Sequence, residues 1–257
     1  MSAIDLTKKL VNFNTVSRDS NLPLIDYVAT YLDDFGIKSH RVESPDGKKS
    51  NLYASIGPEE PGGVVLSGHT DVVPTDGQDW HTDPFMPEIK DGNLLGRGTC
   101  DMKGFIGTAL SLVPEMNSLE KPIHFALSYD EEIGCKGAPS MIAEIVDKLP
   151  PPQAVIVGEP TGMKAITGHK GMVTLKTAVQ GHEAHSSQIH RGVSAVMTAA
   201  TLVTKLNAMT QELAAATDTA TGFEPHHSTI HVGIIRGGTA INIISRRCEF
   251  QWDIRCI

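Results

Sequence analysis

The sequence predicts an α/β protein with a mostly parallel sheet covered by helices on both faces, followed by a smaller α+β unit. Apolar strand cores such as VVL, FAL and VIV alternate with helical segments in the first part of the chain, a pattern typical of strands buried on both faces. Near Gly168 the order becomes strand, helix, strand, strand, which favours an antiparallel sheet with helices on one face. We therefore expect a first domain over residues 1–170 and a second over 171–257.

Local signals place the elements of the first domain. Residues 21–36, NLPLIDYVATYLDDFG, form a predicted helix with Pro23 in its first turn and Gly36 just past its end. Strands NLYASIG and GGVVLSG follow, and Asp91-Gly92 is the turn dipeptide of a hairpin in PEIKDGNLLGRG. The order then continues with a buried helix in KGFIGTALSLV, a strand in KPIHFALSY, a helix in GAPSMIAEIVDKL and a strand in QAVIVG.

The second domain is predicted to contain one long helix and three strands. GMVTLKTAVQG alternates like a half-exposed strand, and QIHRGVSAVMTAATLVTKLNAM is amphipathic with helical spacing. TATGFEPHH reads as a loop, and STIHVGIIRGG and CEFQWDIRCI as strands.

Composition excludes several classes of protein. The 22 basic and 30 acidic residues give a net charge of −8, which disfavours a nucleic-acid partner. No apolar run approaches the ~20 residues that cross a bilayer, and the N-terminus lacks the apolar core of a signal peptide. The four cysteines form no CxxC pair, so we expect reduced thiols in a cytoplasmic protein.

Candidate metal ligands follow the ends of three predicted strands, and one more acid lies where a turn feeds a helix. Ligands of open parallel sheets bind just outside the carboxyl ends of the strands. Each acid alone has an ordinary interpretation, as a solvated loop residue or as an acid favoured by a helix N-terminus. Together at one sheet edge they predict a site, formed by His69, Asp101, the run Asp130, Glu131 and Glu132, and Glu159.

The chemistry of these donors suits a pair of zinc ions, because imidazole and carboxylates are good zinc ligands. Asp101 is able to bridge two ions, and Asp71 is placed to accept the second N–H of His69 and so fix its tautomer. Of the adjacent Glu131 and Glu132, one is expected to coordinate metal while the other carries a proton. Cys100 and Cys135 flank these motifs; we interpret them as small buried residues, with soft ligands or redox switches as alternatives.

Four motifs in this order, SGHTDVVP, GRGTCDMKG, YDEEIGCKGAP and GEPTG, resemble those of the dinuclear zinc aminoacylase and deacylase family. The resemblance implies two Zn²⁺ ions per site, with Co²⁺ as a substitute, and a cis peptide after Asp101. It further implies that His69, Asp101 and Glu159 hold one ion and that Asp101 and Glu132 hold the other. In the same way it assigns proton transfer to Glu131 and support of His69 to Asp71.

The second domain resembles the dimerisation domain of that family. GHEAHSSQIHRGVSA is similar to its signature, which implies a homodimer in which His185 reaches the partner's metals and stabilises the oxyanion. GGTAINIIS resembles a segment whose asparagine, here Asn242, binds substrate. WDIR suggests Arg255 as a carboxylate clamp, and an ordinary strand-surface arginine is the equally favoured alternative.

The family resemblance implies hydrolysis of a small N-acyl amino acid. The expected reaction is deacetylation of N2-acetyl-L-ornithine to L-ornithine and acetate in arginine biosynthesis. A related deacylase such as a succinyl-diaminopimelate desuccinylase, or a non-catalytic metal-binding fragment, is the alternative. In the family a last histidine ligand follows the dimerisation domain, and the chain stops at Ile257, so we expect it to be part of a longer protein.

Overall fold

The computed structural model describes all residues from Met1 to Ile257 and divides into two compact units, Met1–Lys164 and Ala165–Ile257. The roles assigned to the two domains stay predictions. None of the helices combines the length and the apolar composition needed to cross a membrane. The elements of the first unit are α1 (Ala3–Val11), α2 (Leu22–Asp33), β1 (Ser39–Glu43), β2 (Ser50–Ile56), β3 (Val64–His69), β4 (Glu88–Lys90), β5 (Asn93–Leu95), α3 (Lys103–Ser111), β6 (Ile123–Ser128), α4 (Ala138–Lys148) and β7 (Ala154–Val157).

The main sheet has the order β1-β2-β6-β3-β7, and the predicted α/β class is confirmed. β3 pairs in parallel with both β6 and β7, whereas β2 runs antiparallel to β6 and to β1. The sheet is therefore mixed, and its parallel part consists of β6, β3 and β7. These three strands place their carboxyl ends at one edge, which is where the candidate ligands follow.

Helices cover both faces of this sheet. Alternation along the strands divides the apolar side chains, so that Leu52 and Phe125 pack under α1, α2 and α3 while Tyr53 and Ala126 pack under α4. A fully buried Leu or Phe side chain contributes about 1.5–3 kcal/mol relative to an exposed one. The two clusters hold the strands rigidly and thereby fix the positions of the residues at their ends.

The second unit contains β8 (Gly171–Gln180), α5 (Ala195–Ala215), β9 (Thr229–Gly237) and β10 (Arg247–Cys256). The strands form an antiparallel sheet of order β8-β10-β9. Ala195 and Ala199 of α5 pack against Cys248 and Phe250 on one face of this sheet. The elements follow the predicted order of strand, helix, strand, strand.

The long helix of the second unit begins later than its sequence pattern suggests. The apolar spacing predicted a helix from about residue 188, but Ser186–Arg191 form a short 3-10 turn and α5 starts at Ala195. Ser194 caps α5 because its hydroxyl accepts the Met197 N–H at 3.2 Å. Gly192, in an extended conformation before that cap, separates the two segments.

Candidate metal centre

His69 lies at the centre of the predicted site, as the last residue of β3 and almost completely buried. Its Nε2 atom is 2.9 Å from an Asp101 carboxylate oxygen and 3.8 Å from one of Glu159. Asp101 comes from the turn before α3 and Glu159 from the segment after β7. The cis peptide implied by the family resemblance is present between Asp101 and Met102. The structure thus brings these three side chains together.

Both adjacent glutamates also reach this cluster. Donor atoms of His69, Asp101 and Glu132 lie within 4.8 Å of one another, and so do those of His69, Glu131 and Glu159. Each of the four predicted ligands therefore belongs to one of two groups that share His69, and Glu131 belongs to the group with Glu159. The division of work between Glu131 and Glu132 stays a prediction, because both carboxylates stand within reach of a bound ion.

The cluster carries a surplus of negative charge. Burial raises the pKa of the Glu132 carboxyl, and the charge of Asp101 raises it further. Burial also raises the pKa of Glu159, with Asp101 adding to the effect against the opposing influence of His69. Burial alone would lower the pKa of His69, but the Asp71 carboxylate and carbonyl and the other acids outweigh it and raise that pKa. A divalent cation fits this donor set, because it would neutralise negative charges that repel one another in the folded chain.

Metal binding is expected to weaken as the pH falls. The raised pKa values of His69, Glu132 and Glu159 keep these donors protonated to higher pH, and only deprotonated donors bind metal. As the pH falls through the raised pKa of each donor, zinc affinity should drop about tenfold per pH unit for each proton displaced. Competition against a chromophoric chelator at each pH measures the affinity, and calorimetry in two buffers counts the protons. If the zinc affinity does not change as the pH falls, the assignment of these donors is contradicted.

Asp71 contacts His69 in a different way from the one predicted. The His69 Nδ1 atom is 2.9 Å from the main-chain carbonyl oxygen of Asp71, while the Asp71 carboxylate is 3.7 Å away. A carbonyl only accepts hydrogen bonds, so in the neutral imidazole Nδ1 carries the proton and Nε2 presents its lone pair to the cluster. The tautomer is fixed as expected, but the backbone of Asp71 fixes it.

The Asp71 carboxylate instead holds the segment that carries Glu131 and Glu132, which we call the glutamate loop. It accepts the N–H groups of Glu131 at 3.0 Å and Glu132 at 3.3 Å, together with the Ser17 hydroxyl at 2.6 Å. Lys49 in turn contacts Ser17 and Asp130. The sequence pattern singled out neither Ser17 nor Lys49, because both come from parts of the chain distant from the ligand motifs.

Two of the predicted residues of the second unit lie in adjacent segments. His185 is exposed, directly precedes the 3-10 turn, and its Nδ1 atom lies 2.8 Å from the Ser187 hydroxyl. The Asn242 carbonyl accepts the Ser186 N–H at 2.9 Å, and His185 forms a β-bridge with Ile243. The two segments are therefore neighbours, and their roles in substrate binding stay predictions.

Arg255 lies at the other end of β10. The eight residue steps from Arg247 to Arg255 span about 26 Å at ~3.3 Å per residue, away from the end that follows Asn242. The Arg255 Nε donates to an Asp253 carboxylate oxygen at 2.8 Å, and the side chain is half exposed. This geometry favours the strand-surface alternative for Arg255 and does not join it to His185 and Asn242.

The interpretation of Cys100 and Cys135 as buried residues is wrong, since both are exposed. Cys135 occupies the left-handed region with a φ of 55° in the turn after Glu131, and its thiol donates to a Glu131 carboxylate oxygen at 3.5 Å. Partial burial, followed by the charge of Glu131, raises the pKa of the Cys135 thiol. The thiol is therefore protonated at neutral pH and is a poor metal ligand.

Comparisons with known proteins place the chain in a family. Residues 65–252 match the model of peptidase family M20/M25/M40. Acetylornithine deacetylase of Myxococcus xanthus is 35% identical over 254 residues, covering 97% of this chain and 65% of the relative. Acetylornithine deacetylase of Pasteurella multocida is 36% identical over 239 residues, covering 92% and 61% respectively. This chain thus spans less than two thirds of the length of either relative.

A solved structure shares the fold. An M20 family metallo-carboxypeptidase from Sulfolobus solfataricus superposes with a TM-score of 0.79 at 19% sequence identity, covering 100% of this chain and 71% of that one. The match to the family model covers most of the chain, residues 65–252. The chain therefore belongs to peptidase family M20/M25/M40.

Proposed function

We propose that this protein is a zinc-dependent amide hydrolase that converts N2-acetyl-L-ornithine to L-ornithine and acetate, in the cytoplasm and as a step of arginine biosynthesis. The observation that carries the hydrolase proposal is the cluster of one imidazole and four carboxylates at a single sheet edge. The choice of substrate rests on the relatives at 35% and 36% identity that are named acetylornithine deacetylase.

The donor set supports a site for two ions. Asp101 stands beside His69 and within the group that contains Glu132, which suits a carboxylate shared between two positions. Bound divalent cations would polarise the scissile carbonyl and make water a stronger nucleophile at neutral pH. Zinc is the favoured ion because an imidazole is present, and Co²⁺ is expected to substitute for it.

Glu131 is proposed to transfer the proton. Its carboxylate reaches the cluster, and its main-chain N–H is held by Asp71. We assign it to accept a proton from the attacking water and to deliver that proton to the amine nitrogen as the C–N bond breaks. The products are then acetate and a free amine, and Glu131 returns to its carboxylate form.

Parallel assays test this proposal. The zinc-loaded full-length protein, with the C-terminal segment that the family resemblance implies, is offered N2-acetyl-L-ornithine and, as the matched alternative, N-succinyl-diaminopimelate, and the released amine is measured. A kcat/KM for the acetyl substrate at least ~10-fold higher supports the deacetylase, since a change of acyl group in a fitted pocket is worth about 1–3 kcal/mol. The reverse preference makes the protein a desuccinylase. Zinc binding by the full-length protein without turnover of either substrate makes it a metal-binding module.

His185 is proposed to act on the site of a partner subunit in a homodimer formed through residues 171–257. Homodimers of His185→Ala and of Glu131→Gln are each expected to be nearly inactive. Isolated heterodimers should regain about half of wild-type activity, because one of their two sites is intact. The mixture is assayed after heterodimers are isolated with two affinity tags. Absence of recovery in verified heterodimers would place the action of His185 within its own subunit.

A further inference from the structure

A buried polar network lies behind the glutamate loop, outside the predicted ligand set. The Lys49 side chain is 15% exposed and that of Asp130 is 12% exposed, and their charged groups are in direct contact. The Lys49 ammonium also donates to the Ser17 main-chain carbonyl at 2.5 Å. One lysine therefore connects the loop after α1 to the residue that immediately precedes Glu131.

The network continues to the metal cluster along two routes. Through Ser17, whose hydroxyl donates to Asp71 at 2.6 Å, it reaches the carboxylate that accepts the Glu131 and Glu132 N–H groups. Through Asp130 it reaches the same loop directly. Asp130 has a φ of 57°, a left-handed conformation that is unfavourable for most residues with a Cβ and is stabilised here by its surroundings.

We propose that Lys49 is a positioning residue that holds the Glu131–Glu132 main chain in the conformation that directs both carboxylates to the metal cluster. Its ammonium binds the Asp130 carboxylate on one side and the Ser17 carbonyl on the other, so one charge joins the residue before Glu131 to the residue whose hydroxyl donates to Asp71. Without that charge Asp130 would be a buried, unpaired carboxylate, and its left-handed turn would lose its anchor. The metal-binding part of this inference rests on the proposed function.

The test compares Lys49→Met with Lys48→Met. Lys48 is the adjacent, largely exposed lysine, and its ammonium is 3.8 Å from Asp46 at the surface. Hydrogen exchange of the peptide containing Glu131 and Glu132 is measured in the metal-free 257-residue chain, with the β6 peptide as internal reference. Co²⁺ affinity and the visible absorption of bound Co²⁺ are then measured. We expect faster exchange confined to the glutamate loop and a 10–100-fold loss of Co²⁺ affinity for Lys49→Met, and no change for Lys48→Met.

Further variants separate positioning from general stability. Lys49→Met/Asp130→Asn removes both charges, so it should recover most of the thermal stability lost by Lys49→Met. Loop exchange should stay fast and Co²⁺ affinity low in this double variant, because the anchor is still missing. Lys49→Arg should restore part of the affinity. If Lys49→Met does not fold, Lys49→Gln, which removes the charge but keeps a polar side chain, should show the same effects.

Two results would overturn the inference that Lys49 positions the loop. Wild-type loop exchange and Co²⁺ affinity in Lys49→Met would overturn it, as would recovery of both by the double variant, which would show a role in stability alone. If the wild-type chain binds no Co²⁺, the proposed function fails, while the exchange comparison in the metal-free chain still tests the positioning of the loop.

Discussion

In the full-length protein, replacing Glu131 with glutamine is expected to lower kcat by about 10²–10⁴-fold, the range attributed to a positioned acid or base. Glutamine keeps the size of the side chain and the N–H that Asp71 accepts, but it is unable to take a proton. Zinc content should stay at the wild-type value, because the proposed ligands are left intact. Ornithine release and metal analysis after dialysis are the two measurements, made on the same preparation.

Glu88→Gln is the matched control, since Glu88 lies exposed on β4 and its replacement should change neither quantity. Because donor atoms of Glu131, His69 and Glu159 lie within 4.8 Å of one another, the zinc content decides whether Glu131 is a ligand. Loss of an ion together with activity would identify Glu131 as a ligand and leave Glu132 to carry the proton. Near-normal turnover with full zinc would exclude Glu131 as the base.

The strand ends of the site were predictable because their signals are local. An apolar run followed by His69 or by Glu159 needs only the rule that neighbouring parallel strands end at the same edge. The structure confirms parallel pairing of β3 with both β6 and β7. The hairpin was predictable for the same reason, and Asp91 and Gly92 have the positive φ angles of 51° and 76° that its two-residue turn requires.

The starts of α1 and α5 are both marked by capping residues in the sequence, yet neither start was predicted. Ser2 and Asp5 form a capping box at the start of α1, and Leu6 and Leu10 bury its apolar face. These local signals predict a helix, although α1 is not among the predicted elements. At α5 the apolar spacing extended the predicted helix through Gly192, although the Ser194 cap marks its true start.

The contacts of the Asp71 carboxylate could not be predicted from the neighbouring sequence. Its carboxylate oxygens are close enough to His69 in sequence to suggest a direct bond, yet they accept N–H groups 60 and 61 residues away and a hydroxyl 54 residues away. Those donors exist at that place only after β3, β6 and the loop after α1 have assembled. No spacing rule encodes such a choice between a carbonyl and a carboxylate, so Ser17 and Lys49 were missed.

His69→Asn is expected to abolish tight zinc binding while leaving the fold intact. The asparagine amide N–H is placed like Nδ1 of the imidazole and is able to keep the bond to the Asp71 carbonyl. The Nε2 donor, which faces Asp101 and Glu159, is lost. We expect zinc affinity to fall at least ~100-fold, because His69 belongs to both donor groups and is their imidazole ligand. His81→Ala, at an exposed position, should bind zinc like the wild type.

The same variant should change which metal the site prefers. The remaining proposed ligands, Asp101, Glu132 and Glu159, are all carboxylates, and carboxylate sites suit Mn²⁺ and Mg²⁺ better than sites with nitrogen ligands do. Mn²⁺ affinity should therefore fall much less than zinc affinity, so that the ratio of the two drops at least ~10-fold. Calorimetric titrations with each metal, and thermal unfolding of the metal-free chain as a check on folding, give the answer. If the ratio is unchanged in a folded variant, a nitrogen donor other than His69 binds the zinc, and the centre proposed at the ends of β3, β6 and β7 is misassigned.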